Sequence, residues 1–180
     1  MTLPLSSTDI TTIVGLGNPG PTHYYQRHNI GFRVLDALAQ KYGASWHEQT
    51  QAHVATITHQ SKKVTLVKPT TYMNSSGHAI TPLLKKGVTA AHVLVVHDEL
   101  EKPFGALAFK QGGSHRGHNG LRSIITIIGD NFLRLRFGIG RPQEKADVPN
   151  YVLALFDEEP IRVNTAINEA VMLVESALFS

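Results

Sequence analysis

The sequence of 180 residues contains no cysteine. This absence excludes disulfide bonds, thiolate metal ligands and a cysteine nucleophile, and it permits a reducing compartment. No apolar run approaches the roughly 18 residues that a membrane-spanning helix needs. The first ten residues, MTLPLSSTDI, lack the basic and apolar parts of a signal peptide. We therefore expect neither a membrane partner nor a secretory leader.

Charged residues are also few, at 17% of the chain, while hydrophobic residues make up 42%. This balance is typical of a globular protein, and the length favours one domain, residues 1–180. The charges are unevenly spread: residues 102–145 hold eight Lys or Arg and two acids, whereas residues 146–180 carry a net charge of −5. A basic middle third is consistent with binding to a polyanion. A basic surface that only contacts solvent would give the same charge distribution in the sequence.

Strand-like and helix-like stretches alternate along the chain, which predicts an α/β fold. Apolar patterning favours strands at 11–17, 52–59, 62–68, 92–99, 105–110 and 133–142. Helical spacing favours helices at 30–43, 73–87 and 121–129 and from Asp157 onwards. In the second of these helices we expect Asn74 or Ser75 as the cap, with Pro82 either kinking the helix or starting another capped by Thr81. Ligands of such sheets bind where strands end and loops begin.

The stretch GLGNPG (15–20) follows a predicted strand and matches the dinucleotide-binding pattern G-x-G-x-x-G. In that pattern the third glycine already lies in a helix, but here Gly20 stands between Pro19 and Pro21. We therefore favour a tight Asn-Pro-Gly turn that places Asn18 at the end of a strand.

Two titratable residues follow the ends of predicted elements and suit acid–base chemistry. His28, in RHN, stands just before a helix, where a general base could be partly exposed. Asp98 ends the apolar run VLVVHDE and could hold an imidazole in one tautomer, as in catalytic triads. The simpler interpretations are a structural histidine and an aspartate that caps a turn.

Asn74 and Asn119 each stand at the start of a predicted helix. A carboxamide offers donors and an acceptor without a charge, so these residues suit either substrate binding or simple helix capping.

A metal site and a serine nucleophile fit the sequence poorly. His115 and His118, with His97, have no acid or cysteine at ligand spacing, so we expect no metal. Ser75 and Ser114 do not lie in the G-x-S-x-G context of a serine hydrolase.

Five short motifs occur in one order: NPG, RHN, MNxSG, HDEL and GGSxxGHNGL. This order resembles bacterial-type peptidyl-tRNA hydrolases over roughly residues 12–175. The resemblance implies a twisted mixed sheet flanked by helices, and a cytoplasmic monomer without cofactor or obligate protein partner. The implied activity is hydrolysis of the ester that joins a peptide to the terminal ribose of tRNA.

The resemblance also implies roles for individual residues. Water would be activated by His28, supported by Asp98, with Asn18 also in the catalytic set. The implied contacts with the substrate and the tRNA are His23, Tyr72, Met73, Asn74, Asn119, Lys110 and Arg136. Of these, Lys110 and Arg136 would clamp the 5′-phosphate of the tRNA.

The chain departs from the family pattern at several positions. His23 stands where the family usually has a tyrosine, and Gln26 stands where it usually has the threonine before RHN. Ala108 occupies a position that is often basic, and the C-terminal tail, often longer and basic in the family, stops at Ser180.

The main alternative function is a non-hydrolytic RNA-binding protein on the same scaffold. A dinucleotide-dependent oxidoreductase and a generic esterase are further alternatives.

Overall fold

The computed structural model describes residues 10–179. It contains a seven-stranded mixed sheet with strand order β2-β3-β4-β1-β5-β7-β6. The strands are β1 (Thr12–Gly15), β2 (His47–Gln49), β3 (Ala52–His59), β4 (Lys62–Pro69), β5 (Val93–Glu99), β6 (Leu107–Gln111) and β7 (Leu133–Gly138). The predicted α/β class with a mixed sheet is confirmed, while residues 1–9 and Ser180 lie outside the described part of the predicted domain.

Four neighbouring strands run parallel. Strand β1 pairs in parallel with β4 and β5, and β5 pairs in parallel with β7, whereas β2, β3 and β6 pair antiparallel with their neighbours. The carboxyl ends of β4, β1, β5 and β7 therefore lie at one edge of the sheet, which is where α/β folds place their ligand sites.

The α-helices are α1 (Ile30–Lys41), α2 (Thr81–Leu84), α3 (Asn119–Ile128), α4 (Val148–Val152) and α5 (Pro160–Phe179). One hydrophobic cluster joins α1 and α5 to residues such as Leu94 and Val96 of β5. A second cluster joins α3 to Val95 of the same strand. Because side chains alternate along a strand, the two clusters lie on opposite faces of the sheet. No helix within residues 10–179 is long and apolar enough to cross a bilayer.

A glycine lets α1 approach the sheet closely. A Cβ atom on Gly31 would lie 2.4 Å from both the Leu16 nitrogen and the Val96 oxygen. Only glycine therefore permits the first turn of α1 to sit on the carboxyl ends of β1 and β5. This contact places the residues before α1 next to the end of β5.

Some local predictions were wrong. Residues Met73–Ile80 form 3-10 turns that begin after Tyr72, with no side-chain cap from Asn74 or Ser75. The second helix does begin at Thr81, but Ile80 is its N-cap. The exposed strand β2 and the short helix α4 had no clear apolar periodicity and were not predicted.

Candidate active site

The site is built around the carboxylate of Asp98, at the carboxyl end of β5. His28 Nδ1 lies 2.9 Å from Asp98 Oδ1 and 3.0 Å from Oδ2. Both distances suit a hydrogen bond, so Nδ1 carries the proton and donates it to the carboxylate. The His28 Nε2 atom then keeps a lone pair and faces away from Asp98. This arrangement has the geometry of a general base with its orienting acid.

A second histidine contacts the same carboxylate. His118 Nε2 lies 2.9 Å from Asp98 Oδ1. His118 is also the N-cap of α3, where its Nδ1 accepts hydrogen bonds from the backbone N–H groups of Gly120 and Leu121. Because Nδ1 is an acceptor, the proton of the neutral ring is on Nε2 and points at Asp98. Sequence reasoning did not include His118 in the site.

These contacts set the charge state of the pair. Burial alone would raise the pKa of Asp98, but His28 and His118 together hold that pKa well below its usual range. Burial lowers the pKa of His28, but the charge and hydrogen bond of Asp98 outweigh it, so the pKa of His28 lies above its ordinary value. Asp98 is therefore a carboxylate that favours the protonated form of His28 as it develops.

His28, Asp98 and His118 also form a group that could hold a metal, with ligand atoms within 4.8 Å of one another. The acid that His118 lacked in sequence spacing is thus supplied by the fold. A metal on His118 Nε2 would require the neutral ring to carry its proton on Nδ1, facing two backbone N–H donors. The Gly120 and Leu121 nitrogens lie 3.2 and 3.4 Å from Nδ1, so a proton there would face two other N–H groups. This repulsion opposes metal ligation by His118.

His97, the neighbour of Asp98, is a buried neutral residue. Its Nδ1 lies 2.7 Å from the Asp98 carbonyl oxygen and donates to it. Burial and the nearby His118 lower the pKa of His97 to about 3. His97 is therefore uncharged near neutral pH and fixes the backbone that carries the catalytic candidate Asp98.

Asn18 follows the end of β1 and is held on both sides. Asn29 Oδ1 accepts from the Asn18 N–H and Asn29 Nδ2 donates to the Asn18 carbonyl oxygen, each at 2.9 Å. The Asn18 side-chain oxygen accepts from the Met73 N–H at 2.9 Å. Its Nδ2 makes no hydrogen bond within residues 10–179, so it remains available as a donor.

The other predicted site residues fall into two groups. Tyr72 is 67% exposed, and Asn74 and Asn119 are exposed without side-chain hydrogen bonds in residues 10–179. Met73 is buried instead, and a Cβ atom on Gly120 would come within 2.5 Å of its sulfur. The Met73 side chain is thus a packing element under α3.

The two departures beside RHN contact each other. His23 Nδ1 lies 2.9 Å from Gln26 Oε1 and donates to it. The unusual histidine and the unusual glutamine therefore form one local pair that closes the turn before His28. Ala108, the third departure, lies opposite Arg136 in the sheet.

A cleft of about 370 Å³ opens beside His28 and Asp98. Its basic lining residues are Lys110, Arg116, Arg134, Arg136, Arg141 and Lys145. Lys110 and Arg136 lie on the adjacent strands β6 and β7, and the nearest acid to Arg136 is Glu99, at 3.8 Å. Burial and three nearby arginines lower the pKa of Lys110. Cations that repel one another in this way favour the binding of an anion.

Arg134 differs from the other cations in the cleft. It is 2% exposed and donates to the carbonyl oxygens of Gly113 and Ser114. It therefore anchors the glycine-rich loop that leads to His118. The basic pattern of the sequence could not separate this structural arginine from its more exposed neighbours.

Comparison with known proteins shows which family the chain resembles. The family model for peptidyl-tRNA hydrolase matches residues 12–180. A peptidyl-tRNA hydrolase of Syntrophotalea carbinolica is 43% identical over 170 residues, which cover 92% of this chain and 89% of the relative. One of Mycobacteroides abscessus is 40% identical over 185 residues, covering 98% of this chain and 94% of the relative.

A solved structure is similar in fold. The crystal structure of peptidyl-tRNA hydrolase from Acinetobacter baumannii is 35% identical, with a TM-score of 0.83, and covers 97% of this chain and 92% of that one. The family that the five motifs predicted is thereby confirmed: the chain belongs to the peptidyl-tRNA hydrolase family.

Proposed function

We propose that this protein hydrolyses the ester between a peptide, or an N-blocked aminoacyl group, and the 3′-terminal ribose of tRNA. The observation that carries the proposal is the His28–Asp98 pair, which leaves His28 Nε2 free at the edge of a cationic cleft. The family membership supports the same reaction. A non-hydrolytic RNA-binding protein would not need an imidazole held at 2.9 Å from a buried carboxylate.

In the proposed mechanism His28 Nε2 takes a proton from water, and the resulting hydroxide attacks the ester carbonyl carbon. The tetrahedral intermediate then collapses, and the carbon–oxygen bond to the ribose breaks. The imidazolium returns its proton to the leaving 3′-oxygen. Asp98 stabilises the imidazolium through its hydrogen bond to Nδ1, without itself becoming protonated.

The carboxamides supply neutral donors for this reaction. We assign to Asn18 Nδ2 the stabilisation of the carbonyl oxygen as negative charge develops, and the distinction between an acylated and a free amino group. Asn74 and Asn119 would bind the peptide backbone, because neutral amides bind any peptide whatever its side chains. Exposed Tyr72 offers a ring for stacking, while Met73 would act through its backbone N–H, which fixes Asn18.

The cleft supplies the site for the tRNA body. Lys110 and Arg136 would hold a backbone phosphate, and His23 would contact the substrate from the turn before His28. No metal or cofactor takes part in the proposed steps. We further propose that residues 1–180 act as one domain and as a monomer in the cytoplasm, where tRNA is found.

Turnover of N-acetyl-aminoacyl-tRNA tests the proposal directly. We expect multiple-turnover release of N-acetyl-amino acid and intact tRNA, with free aminoacyl-tRNA largely spared. Binding without turnover would favour the RNA-binding alternative. Equal hydrolysis of simple esters that lack tRNA would instead indicate a generic esterase.

A further inference from the structure

The turn that carries His28 is held by a segment more than a hundred residues away in sequence. Arg27 donates its backbone N–H to the Ala154 carbonyl at 3.0 Å, and Gln26 forms a β-bridge with Leu155. The turn is therefore attached through backbone contacts to the connection between α4 and α5.

The Arg27 side chain strengthens this attachment. Its guanidinium lies 4.0 Å from the centre of the Tyr151 ring, and it donates to the Tyr151 carbonyl oxygen at 3.2 Å and to Asp157 at 2.9 Å. The Arg27 side chain is 4% exposed, whereas that of Asp157 is 92% exposed. The Arg27 side chain is buried, stacked on a ring and hydrogen-bonded through two nitrogens. Such an arginine fixes the position of its backbone far better than a surface ion pair does.

The next two residues complete the geometry. His28 follows Arg27 in the one-turn helix Arg27–Asn29, and Asn29 is bonded to Asn18 on the other side. The backbone of His28 is thus held between two anchors. Helix α4, which supplies Tyr151, also lines the cleft through Val148 and Val152.

We propose that Arg27 is a positioning residue that sets the distance between His28 and Asp98. Through Tyr151 it also connects the backbone of His28 to α4, which forms part of the wall of the cleft. Arg27 touches neither substrate nor reacting atoms in the mechanism above. Its contribution to the rate is therefore made through His28. The expected effect of Arg27 on kcat rests on the proposed function, whereas its effect on the position of His28 does not.

The variant Arg27→Met keeps the aliphatic stem and removes the charge and the donors. We expect kcat on N-acetyl-aminoacyl-tRNA to fall on the order of 10-fold, because small displacements of a catalytic group are costly. The KM for tRNA should change little, because the cleft cations are untouched. The pKa of the His28 imidazole, measured by NMR without substrate, should fall as its contact with Asp98 loosens.

Arg33→Met is the matched control. Arg33 also lies over a tyrosine ring, Tyr25 at 5.3 Å, and also bonds α5, through Asn164 at 3.3 Å. Within residues 10–179 its side chain makes no hydrogen bond or ion pair with Arg27, His28 or Asn29. We expect its kcat and the pKa of His28 to match those of the unmodified protein.

A folded Arg27→Met protein with unchanged kcat and unchanged His28 pKa would overturn the inference. If that variant does not fold, Arg27→Lys replaces it, since lysine keeps the charge but lacks the fork. A lower Tm of Arg27→Lys with the same kcat and His28 pKa would reduce Arg27 to a purely structural role. If the unmodified protein shows no hydrolysis, the proposed function fails, while the NMR titration still tests the position of His28.

Discussion

The two sides of the cleft are built in different ways. On the side that we propose to be catalytic, called the catalytic side below, the side chains of His28, Asp98 and His118 are between 2% and 12% exposed. Each contact of the two histidines with the Asp98 carboxylate is 2.9–3.0 Å long. On the cationic side Arg136 is 22% exposed, and its contact to Glu99 is a loose 3.8 Å. One side is thus defined by fixed geometry and the other by accumulated charge.

The difference matches what the proposed function requires of each side. Proton transfer and attack at a carbonyl depend on distances of a few tenths of an ångström, so the groups involved must be held before the substrate arrives. Phosphate binding depends on charge, and Coulomb attraction falls off gently with distance. We therefore expect substitutions on the catalytic side to act on kcat and those on the cationic side to act on tRNA affinity.

The largest effect expected is that of His28→Ala, which removes the proposed base. We expect kcat to fall by at least ~10²-fold while tRNA binding is retained, because a positioned base contributes about that much. Single-turnover kinetics and a filter-binding assay measure the two quantities. His53→Ala, which removes an exposed histidine of β3, is the control. Near-normal hydrolysis by His28→Ala would mean that the base is another residue.

Asp98→Ala should have a smaller effect on rate, because Asp98 tunes the base without replacing it. In the unmodified protein the pKa of His28 is raised, so activity falls as the pH drops through a value above the ordinary ~6.5. Without the carboxylate, burial remains and lowers the pKa of His28. The acid limb of the pH–rate profile should therefore move to lower pH. A limb that stays in place would contradict the pairing.

On the catalytic side, the positions of some residues could be predicted from the sequence and those of others could not. Asn18 and Asp98 were predicted at the ends of strands because their preceding apolar runs are unmistakable, and parallel strands bring such ends together. His118 was missed because its partner is twenty residues away and its capping tautomer is visible only once α3 is placed.

The contacts that hold the one-turn helix Arg27–Asn29 could not be predicted for a related reason. RHN was singled out for its histidine, but the flanking Arg27 and Asn29 derive their roles from Tyr151 and Asn18, which folding brings close. Helical periodicity over eight residues also cannot separate the 3-10 turns of Met73–Ile80 from an α-helix. Sequence patterns locate elements, whereas contacts between distant elements decide what each side chain does.

The cationic side should respond to Lys110→Ala. We expect weaker binding of every tRNA by a similar factor, and a salt dependence of binding that is shallower by roughly one unit, because one phosphate contact is lost. Cleavage of full-length peptidyl-tRNA should slow at subsaturating concentration. A short 3′ fragment carrying a blocked aminoacyl group should be cleaved as before. Equal losses on both substrates would move Lys110 to the catalytic side.

The smallest effect expected is that of Glu101→Gln, at the rim of the same cleft. Glu101 forms an exposed ion pair with Arg141, and both residues line the cleft. Such a pair contributes little to stability, so its removal should leave folding intact and release one more cation toward the RNA. We expect tRNA affinity to rise by about 2-fold at low salt and to match the unmodified protein at high salt, where the charges are screened. Cleavage of the 3′ fragment should not change. A change in kcat on that fragment, or a gain in affinity that persists at high salt, would show that geometry as well as charge governs the cationic side.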